Sequence, residues 1–189
     1  MVSTARKLHT VADLDAFDQD EDRVELIGGE IVRESTSFEH GDAQLSIGIE
    51  IKGRFQGSGP PGGEGWWFGS EVDVVYSEID CFRHDVSGWR KSRVPDRPAG
   101  RRVRIRPDWV CEILSTNRNK DLRDKRRTLH QHGVPHYWIM DLEEPLLTVL
   151  RHHADGYVII ATVGPGERAR LEPFDAVELE VAALFGDLG

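Results

Sequence analysis

The 189-residue chain has no hydrophobic run long enough to cross a membrane as a helix. Such a helix needs about 20 consecutive apolar residues, and no segment approaches that length. The first 17 residues, MVSTARKLHTVADLDAF, contain neither a long apolar block nor a small-residue cleavage site. We therefore expect neither a membrane-spanning protein nor a secretory signal.

Cysteine is scarce, and the sequence patterns of two common enzyme classes are missing. Cys81 and Cys111 are too few for a disulfide framework or a cysteine-only zinc site, so we expect buried thiols in a reducing cytoplasm. The glycine-rich segment 57–65, GSGPPGGEG, lacks the spacing of a nucleotide P-loop, and we expect no nucleotide cofactor. No Ser or Cys lies in a nucleophile elbow, which argues against a covalent hydrolase.

Positive charge is in deficit overall but concentrated in one segment. The chain carries 24 Lys and Arg against 33 Asp and Glu, a net charge of −9. Between residues 83 and 127, 15 Lys and Arg oppose six Asp and Glu, so this segment carries +9 and the remainder −18. A basic surface on an acidic body can bind a polyanion, and we expect Arg101, Arg102 and Arg104 to contact nucleic acid. The alternative is a solvated, arginine-rich loop.

Apolar periodicity predicts a mixed sheet with helices, of the α/β or α+β class. A short helix over Val11–Phe17 and a hairpin with a Gly28–Gly29 turn come first. An amphipathic helix follows between residues 39 and 55, with Leu45 and Ile49 among its apolar positions. Alternating and branched residues predict strands next, and the strand pattern recurs towards the end of the chain.

The segment 106–141 carries the clearest chemical pattern. Its strand DWVCEIL is almost continuously apolar, so both faces should be buried, yet it contains Asp108 and Glu112. A buried carboxylate needs a partner or a metal ion, because burying an unpaired charge is costly. The following helix presents Asp121 and Lys125 on one stripe, so Lys125 can turn back over the strand end that holds Glu112. This helix connects two strands that should therefore be parallel.

Five short motifs occur in a fixed order along the chain. They are VELIGGE (24–30), EH (39–40), PDWVCEILS (107–115), DLRDK (121–125) and GVPHYW (133–138). Together they resemble the putative restriction endonuclease family of PD-(D/E)XK nuclease-like proteins, the Uma-type family, over residues 10–185. The resemblance implies a single domain, residues 1–189, with a restriction-endonuclease-like mixed β-sheet flanked by helices and an added N-terminal helix and β-hairpin.

The resemblance also implies a catalytic site. In such nucleases an Asp and a Glu bind Mg²⁺ beside the scissile phosphate and a Lys helps to activate the attacking water, which assigns Asp85, Glu112 and Lys125 to catalysis. Mg²⁺, or Mn²⁺, would be held by Asp85, Glu112 and the backbone carbonyl of Ile113, and such oxygen ligands suit a hard cation. The wider superfamily has its Lys two residues after the Glu, where this chain has Leu114; the family places it in the helix, at Lys125.

Two positions depart from the family pattern. The strand after Asp85 should be apolar but reads SGWRK (87–91), and the Tyr that usually follows the helical Lys is Leu129. The first departure makes Asp73 the alternative first carboxylate. Supporting roles fall to other polar side chains of these segments: Glu25, His40, Asp73, Asp108 and Asp121.

The leading hypothesis is a cytoplasmic, Mg²⁺-dependent phosphodiesterase that acts on DNA. A homodimer is expected from the resemblance, since nucleases of this type usually dimerise to cut both strands. Glu112 and Lys125 could instead form a buried ion pair that holds the helix to the sheet. The alternative function is a nuclease-fold module that has lost catalysis and binds nucleic acid or protein; a small-molecule hydrolase has no specific support.

Overall fold

The computed structural model describes residues 8–17, 23–34, 36–61, 63–114 and 118–186. Its first element is a 3₁₀ turn, Val11–Asp13, that continues into the short helix α1, Leu14–Phe17. The backbone N–H and the hydroxyl of Thr10 both donate to Asp13 Oδ2, at 2.8 and 3.0 Å, and fix the start of the turn. The predicted N-terminal helix is confirmed.

Two strands, β1 (Arg23–Ile27) and β2 (Glu30–Glu34), form the predicted hairpin. Its turn residues Gly28 and Gly29 both have positive φ, 57° and 79°. A two-residue type I′ turn requires this conformation, which glycine adopts without steric cost. The N–H of Gly28 donates to Asp80 Oδ1 over 2.9 Å, which ties the hairpin to the turn between the next two strands.

The remaining elements place helices on the two faces of a large sheet. In chain order they are α2 (Phe38–Ile47), a π-helical turn (Gly48–Lys52), α3 (Gly53–Phe55), β3 (Trp66–Ser77), β4 (Asp80–Arg90), β5 (Arg102–Val103), β6 (Trp109–Ile113), α4 (Arg118–Gln131), β7 (His136–Asp141), β8 (Leu146–His153), β9 (Gly156–Val163), β10 (Arg168–Ala169), β11 (Leu179–Glu180) and α5 (Ala182–Phe185). No helix in the described ranges is long and apolar enough to cross a membrane.

Nine strands of the described chain form one sheet that is mostly antiparallel. The strand order is β2-β1-β4-β6-β7-β8-β9, with β3 paired to β4 and β5 paired to β3. Strands β6 and β7 are parallel, as the connecting helix α4 predicts. Strands β10 and β11 pair separately. The predicted mixed sheet flanked by helices is confirmed.

Different helices cover the two faces of the sheet. Helix α2 and the C-terminal segment pack on one face, where Ile47, Cys111 and Phe185 are buried in one cluster. Helix α4 packs on the other face through Leu129, in a second cluster that includes Val110. Successive residues of β6 therefore point to opposite faces. Side chains from α2 and α4 can meet where the sheet itself is interrupted.

Such an interruption occurs along one edge of β4. Strand β3 pairs with the other edge almost throughout, whereas this edge pairs first with β1, at Leu26 and Cys81, and then with β6 from Val86 onwards. Between these pairings, residues 82–85 of β4 have no strand partner on this edge in the described chain. We call this stretch the gap. Its buried backbone groups need side-chain partners in place of a ladder.

The polar interruption after Asp85 has a packing reason. Strand β4 continues regularly through it, and Gly88 lies against an aromatic cluster. A Cβ atom at Gly88 would lie 3.2 Å from ring atoms of Trp66, Phe68 and Trp109. Glycine therefore allows these rings to approach the strand closely, and Asp85 belongs to a regular, buried strand.

One expectation about the long helical segment is wrong. Leu45 and Ile49, which the apolar pattern assigns to the buried face, are exposed, and Ile47, which the pattern places between them, is buried; Ile51 is buried as the pattern predicts. The π-helical turn Gly48–Lys52 shifts the helical period within the segment, so one 3.6-residue pattern cannot describe all of it.

Candidate active site

Two carboxylates fill the gap and accept backbone hydrogen bonds there. The N–H of Arg83, in β4, donates to Glu25 Oε1 of β1 over 2.6 Å. The N–H of Ile113, in β6, donates to Asp85 Oδ2 of β4 over 2.7 Å. The acids thus satisfy donors that would otherwise be buried without a partner, and Ile113 contacts the site through its N–H.

Glu112, near the end of β6, is held at both carboxylate oxygens. His84 Nδ1 contacts Oε1, and Lys125 Nζ donates to Oε2 over 3.2 Å. Lys125 comes from α4 and also lies 2.8 Å from Glu25 Oε2. One buried ammonium therefore bridges two buried carboxylates, next to the strand segment that carries Asp85.

A half-buried tyrosine, Tyr76, orients His84. The hydroxyl of Tyr76 lies 2.7 Å from His84 Nε2. Burial, with smaller contributions from Tyr157 and Glu112, raises the pKa of Tyr76 well above its ordinary value, so the hydroxyl stays protonated and donates. Because the Glu112 carboxylate only accepts, Nδ1 of His84 carries the hydrogen, and in the neutral ring Nε2 accepts from the Tyr76 hydroxyl. The relay Tyr76–His84–Glu112 fixes the orientation of the carboxylate.

Helix α2 contributes the side chains on the other side of Asp85. His40 Nε2 lies 2.8 Å from Asp85 Oδ1, and Ser37 fixes His40 in the first helical turn by accepting its N–H over 3.3 Å. Gln44, one turn further along, donates to the backbone oxygen of Asp85 and to Glu71 Oε1, at 2.7 and 2.8 Å. His40, Glu71 and Asp85 each offer one ligand atom, and these atoms all lie within 4.8 Å of one another.

Negative charge is in excess at this site. Glu25 and Glu112 are buried around the ammonium of Lys125, and Asp85 is buried close enough to Glu112 to be affected by its charge. Burial raises the pKa of Asp85 above its ordinary value against the hydrogen bond from His40, and Glu112 raises it further. Burial opposes the ionisation of Glu112 as well, but Lys125 and His84 outweigh it and hold the pKa of Glu112 below its ordinary value. A cation beside Asp85 would offset this excess.

The donor set beside Asp85 fits a divalent metal ion. Carboxylate oxygens and an imidazole nitrogen are ordinary ligands of such ions. Metal–ligand bonds of about 2.0–2.2 Å put opposite ligands of an octahedral ion about 4.3 Å apart. The spread of the three ligand atoms, within 4.8 Å, is therefore close to what one ion can join after small side-chain shifts.

The remaining predicted supporting side chains lie elsewhere. Asp73 accepts two hydrogen bonds from the guanidinium of Arg83, at 2.6 and 3.0 Å, and is held on β3 as its ion-pair partner. Asp108 precedes β6 at the end opposite Glu112, where arginines bind it. The side chain of Asp121 lies outside the described part of the chain.

The three arginines predicted to contact nucleic acid differ in accessibility. Arg102 donates to Asp15 over 2.7 Å, and its side chain is 15% exposed. Arg101 and Arg104 are exposed. Arg104 lies 3.6 Å from the exposed Glu78, and such solvent-screened pairs are weak. Arg101 and Arg104 are thus better placed than Arg102 to meet a polyanion.

Comparison with known proteins identifies the family. The family described as "Putative restriction endonuclease", Uma2, matches residues 9–182. The chain belongs to this family. Four chains of solved structures match, among them the crystal structure of a putative nuclease belonging to DUF820 from Anabaena variabilis ATCC 29413. It is 20% identical, with a TM-score of 0.65 over 91% of this chain and 96% of that chain. The predicted nuclease-like fold is confirmed; no curated protein matches.

Several side chains of the site in this Uma2 member are not identified by the sequence alone. His84 stands directly before Asp85, at the position of the Pro in the PD-(D/E)XK signature, and this difference is the signal in the sequence that points to it. Glu71 and Tyr76 lie in a predicted strand, but sequence does not show which partners its register brings them. Glu71 also has a φ of 56°, and nothing in the sequence indicates a left-handed residue there.

Proposed function

We propose that the protein is a divalent-metal-dependent endonuclease that hydrolyses phosphodiester bonds in DNA. The observation that carries the proposal is the convergence of Asp85, Glu112 and Lys125, from β4, β6 and α4, at one buried site. Membership of Uma2 and the nuclease-like fold support the class of reaction. Clustered groups with pKa values shifted by burial and by each other are typical of catalytic sites.

Each group has a role that follows from its contacts. Lys125 is held between Glu25 and Glu112 by its contacts with both carboxylates. Its ammonium is thereby positioned to hold an attacking water or a phosphate oxygen through a charge-assisted hydrogen bond. His84 orients Glu112, and Asp85 is the carboxylate that faces the metal-ligand cluster. A divalent ion, Mg²⁺ or Mn²⁺ by resemblance, lowers the pKa of a bound water and neutralises charge on the phosphate.

DNA is the substrate that the charge distribution supports. The +9 segment exposes Arg101 and Arg104, which can neutralise phosphates whatever the base sequence. Nucleases of this type usually dimerise to cut both strands, so we expect a homodimer. Light scattering of the purified protein, alone and with DNA, would measure its mass.

Cleavage of supercoiled plasmid DNA tests the proposal. The wild-type protein with Mg²⁺ or Mn²⁺ should produce nicked and linear DNA, and a chelator should stop the reaction. Asp85→Asn keeps the side-chain shape but removes a negative charge from the site, so the rate should fall by about 10²–10³-fold. Glu78→Gln removes a charge from the exposed β3–β4 turn and should leave the rate unchanged.

Two results would contradict the proposal. A folded protein that retains DNA on a filter but cuts none with either ion would support the catalytically inactive binding module. Cleavage by Asp85→Asn at the wild-type rate would show that the nuclease activity does not depend on this site.

A further inference from the structure

We infer that His40, Glu71 and Asp85 are the protein ligands of the metal ion and that they select a first-row transition ion such as Mn²⁺ over Mg²⁺. The inference rests on the proposed function and adds to it the ligand set and the identity of the ion. It departs from the ligands that the sequence predicted, Asp85, Glu112 and the carbonyl of Ile113.

Three separate elements bring the ligands together. His40 lies in the first turn of α2, Glu71 in the middle of β3 and Asp85 in β4 at the gap. His40 Nε2 and Asp85 Oδ1 are 2.8 Å apart. One ligand atom from each of His40, Glu71 and Asp85 lies within 4.8 Å of the other two. Residues 31 and 14 positions apart in sequence thus form a mixed nitrogen and oxygen donor set.

Glu71 is held in this position by Gln44. The amide nitrogen of Gln44 lies 2.8, 2.9 and 2.7 Å from Glu71 Oε1, Ser70 Oγ and the backbone oxygen of Asp85, three acceptors that share its two N–H groups. Glu71 has a left-handed backbone, φ 56°, which is uncommon for a residue with a side chain. The amide of Gln44 thus ties the Glu71 side chain to the backbone of Asp85.

Glu112 is engaged elsewhere. Its Oε1 contacts His84 and its Oε2 contacts Lys125. Binding an ion would require Glu112 to give up its contact with His84 or with the buried Lys125, whereas an ion between Asp85 and His40 would replace a hydrogen bond between two of its own ligands. We therefore assign Glu112 to holding Lys125, which positions the reacting water, and not to the ion.

The histidine determines which ion is preferred. Mg²⁺ favours oxygen ligands and keeps several of its waters, whereas an imidazole nitrogen is a good ligand for first-row transition ions. Mn²⁺ accepts both carboxylate oxygens and imidazole, so it suits this mixed set better than Mg²⁺.

Calorimetric titration with Mn²⁺ and with Mg²⁺, on intact protein without DNA, tests the ligand set. The wild type should bind Mn²⁺ at least about tenfold more tightly than Mg²⁺. Glu71→Gln and His40→Gln should each weaken Mn²⁺ binding by about tenfold or more. Glu50→Gln, which removes a charge paired with Arg54 in the helical segment after α2, is the matched control and should bind like the wild type.

His40 is buried and its substitution can disturb the fold, so a measurement on the wild type is also needed. Pulsed electron paramagnetic resonance of bound Mn²⁺ reports a nitrogen in direct contact with the ion. The inference predicts ¹⁴N coupling from one imidazole. Bound Mn²⁺ without such coupling would overturn it.

The outcomes separate this inference from the proposed function. Mn²⁺ binding that is lost in Glu112→Gln but unchanged in Glu71→Gln would overturn the inference and leave the nuclease proposal standing. Equal affinity for Mg²⁺ and Mn²⁺ would also overturn it. Mn²⁺ bound with imidazole coupling by a protein that cuts no DNA would support the inference and count against the proposed function.

Discussion

Two buried carboxylates lie near the two ends of strand β6, and the charges around them differ. Asp108, just before the strand, accepts the N–H of Arg90 over 2.9 Å and the guanidinium of Arg93 at 2.7 and 3.0 Å. Glu112, near the other end, accepts from His84 and Lys125, and Lys125 is shared with Glu25. Hydrogen-bond donors outnumber carboxylates at the Asp108 end, whereas carboxylates outnumber lysine and arginine side chains at the Glu112 end.

This difference distinguishes a structural acid from a candidate catalytic one. Asp108 joins two backbone segments and has Arg106 at 3.8 Å as a further cation, so nothing is left for a ligand to balance. At the other end, burial and the charge of Glu112 raise the pKa of Asp85. Burial alone does not mark function, since both ends are buried; an imbalance of charge does.

The largest expected effect on stability is at Lys125. Lys125→Met keeps most of the apolar stem but leaves Glu25 and Glu112 buried without their shared cation, so the free energy of unfolding should fall by about 3–5 kcal/mol. At the other end, Arg93→Met should cost about 1 kcal/mol or less, because Arg93 is one-third exposed and Asp108 keeps its backbone donor. Urea unfolding of both variants measures the difference.

Double variants sharpen that comparison. Adding Glu112→Gln to Lys125→Met removes one of the stranded carboxylates and should recover part of the stability. If Lys125→Met proves no more costly than Arg93→Met, the ammonium is not the buried bridge between Glu25 and Glu112 that the contacts indicate.

The second effect is on the acid side of the pH range, at the Asp108 end. Burial, with the neighbouring Arg90 and Arg151, lowers the pKa of His136 from 6.5 to about 4. The unfolded chain therefore binds this proton at a higher pH than the folded one. The contribution of neutral His136 to the free energy of unfolding is therefore fully present above pH 6.5. It is lost as the pH falls towards 4, by up to about 3 kcal/mol.

Replacing His136 isolates its contribution. His136→Gln has no group that titrates in this window, so its unfolding free energy should decline less than that of the wild type between pH 6.5 and 4. Parallel curves for the two proteins, from urea unfolding at each pH, would show that His136 is not buried in its neutral form.

The smallest effect concerns the surface arginines. Arg101→Gln with Arg104→Gln should weaken DNA binding modestly and reduce the slope of log affinity against log salt by about 1 for each phosphate that is no longer neutralised. Arg102 is left unchanged because it is paired with Asp15. An unchanged slope in filter binding would place the DNA on another surface.

Local patterns explain what could be predicted of the fold. The contact between Glu112 and Lys125 follows from one strand–helix unit, in which helical spacing and a buried strand fix both positions within 13 residues. The Gly28–Gly29 turn is predictable for the same reason, since its chemistry is local. The resemblance supplied Asp85, whose hydrogen-bond partner on β6, Ile113, is 28 residues away in sequence.

The unpredicted part depends on non-local geometry. The ligand group requires α2 to direct His40 and Gln44 inwards, while the apolar pattern favoured Leu45 and Ile49. It also requires a left-handed residue at Glu71. The register between strands and the rotation of a helix on a sheet are set by packing of the whole domain, and a single sequence does not display them.

The most direct test of the central claim compares matched amide substitutions at the two ends of β6. Single-turnover cleavage of DNA is measured for Glu112→Gln and Asp108→Asn with saturating Mn²⁺, well below the melting temperature of each variant, per folded molecule. We expect Glu112→Gln to lose about 100-fold or more in rate and Asp108→Asn to stay within about twofold of the wild type. Equal losses at the two ends, or a larger loss in Asp108→Asn, would contradict it.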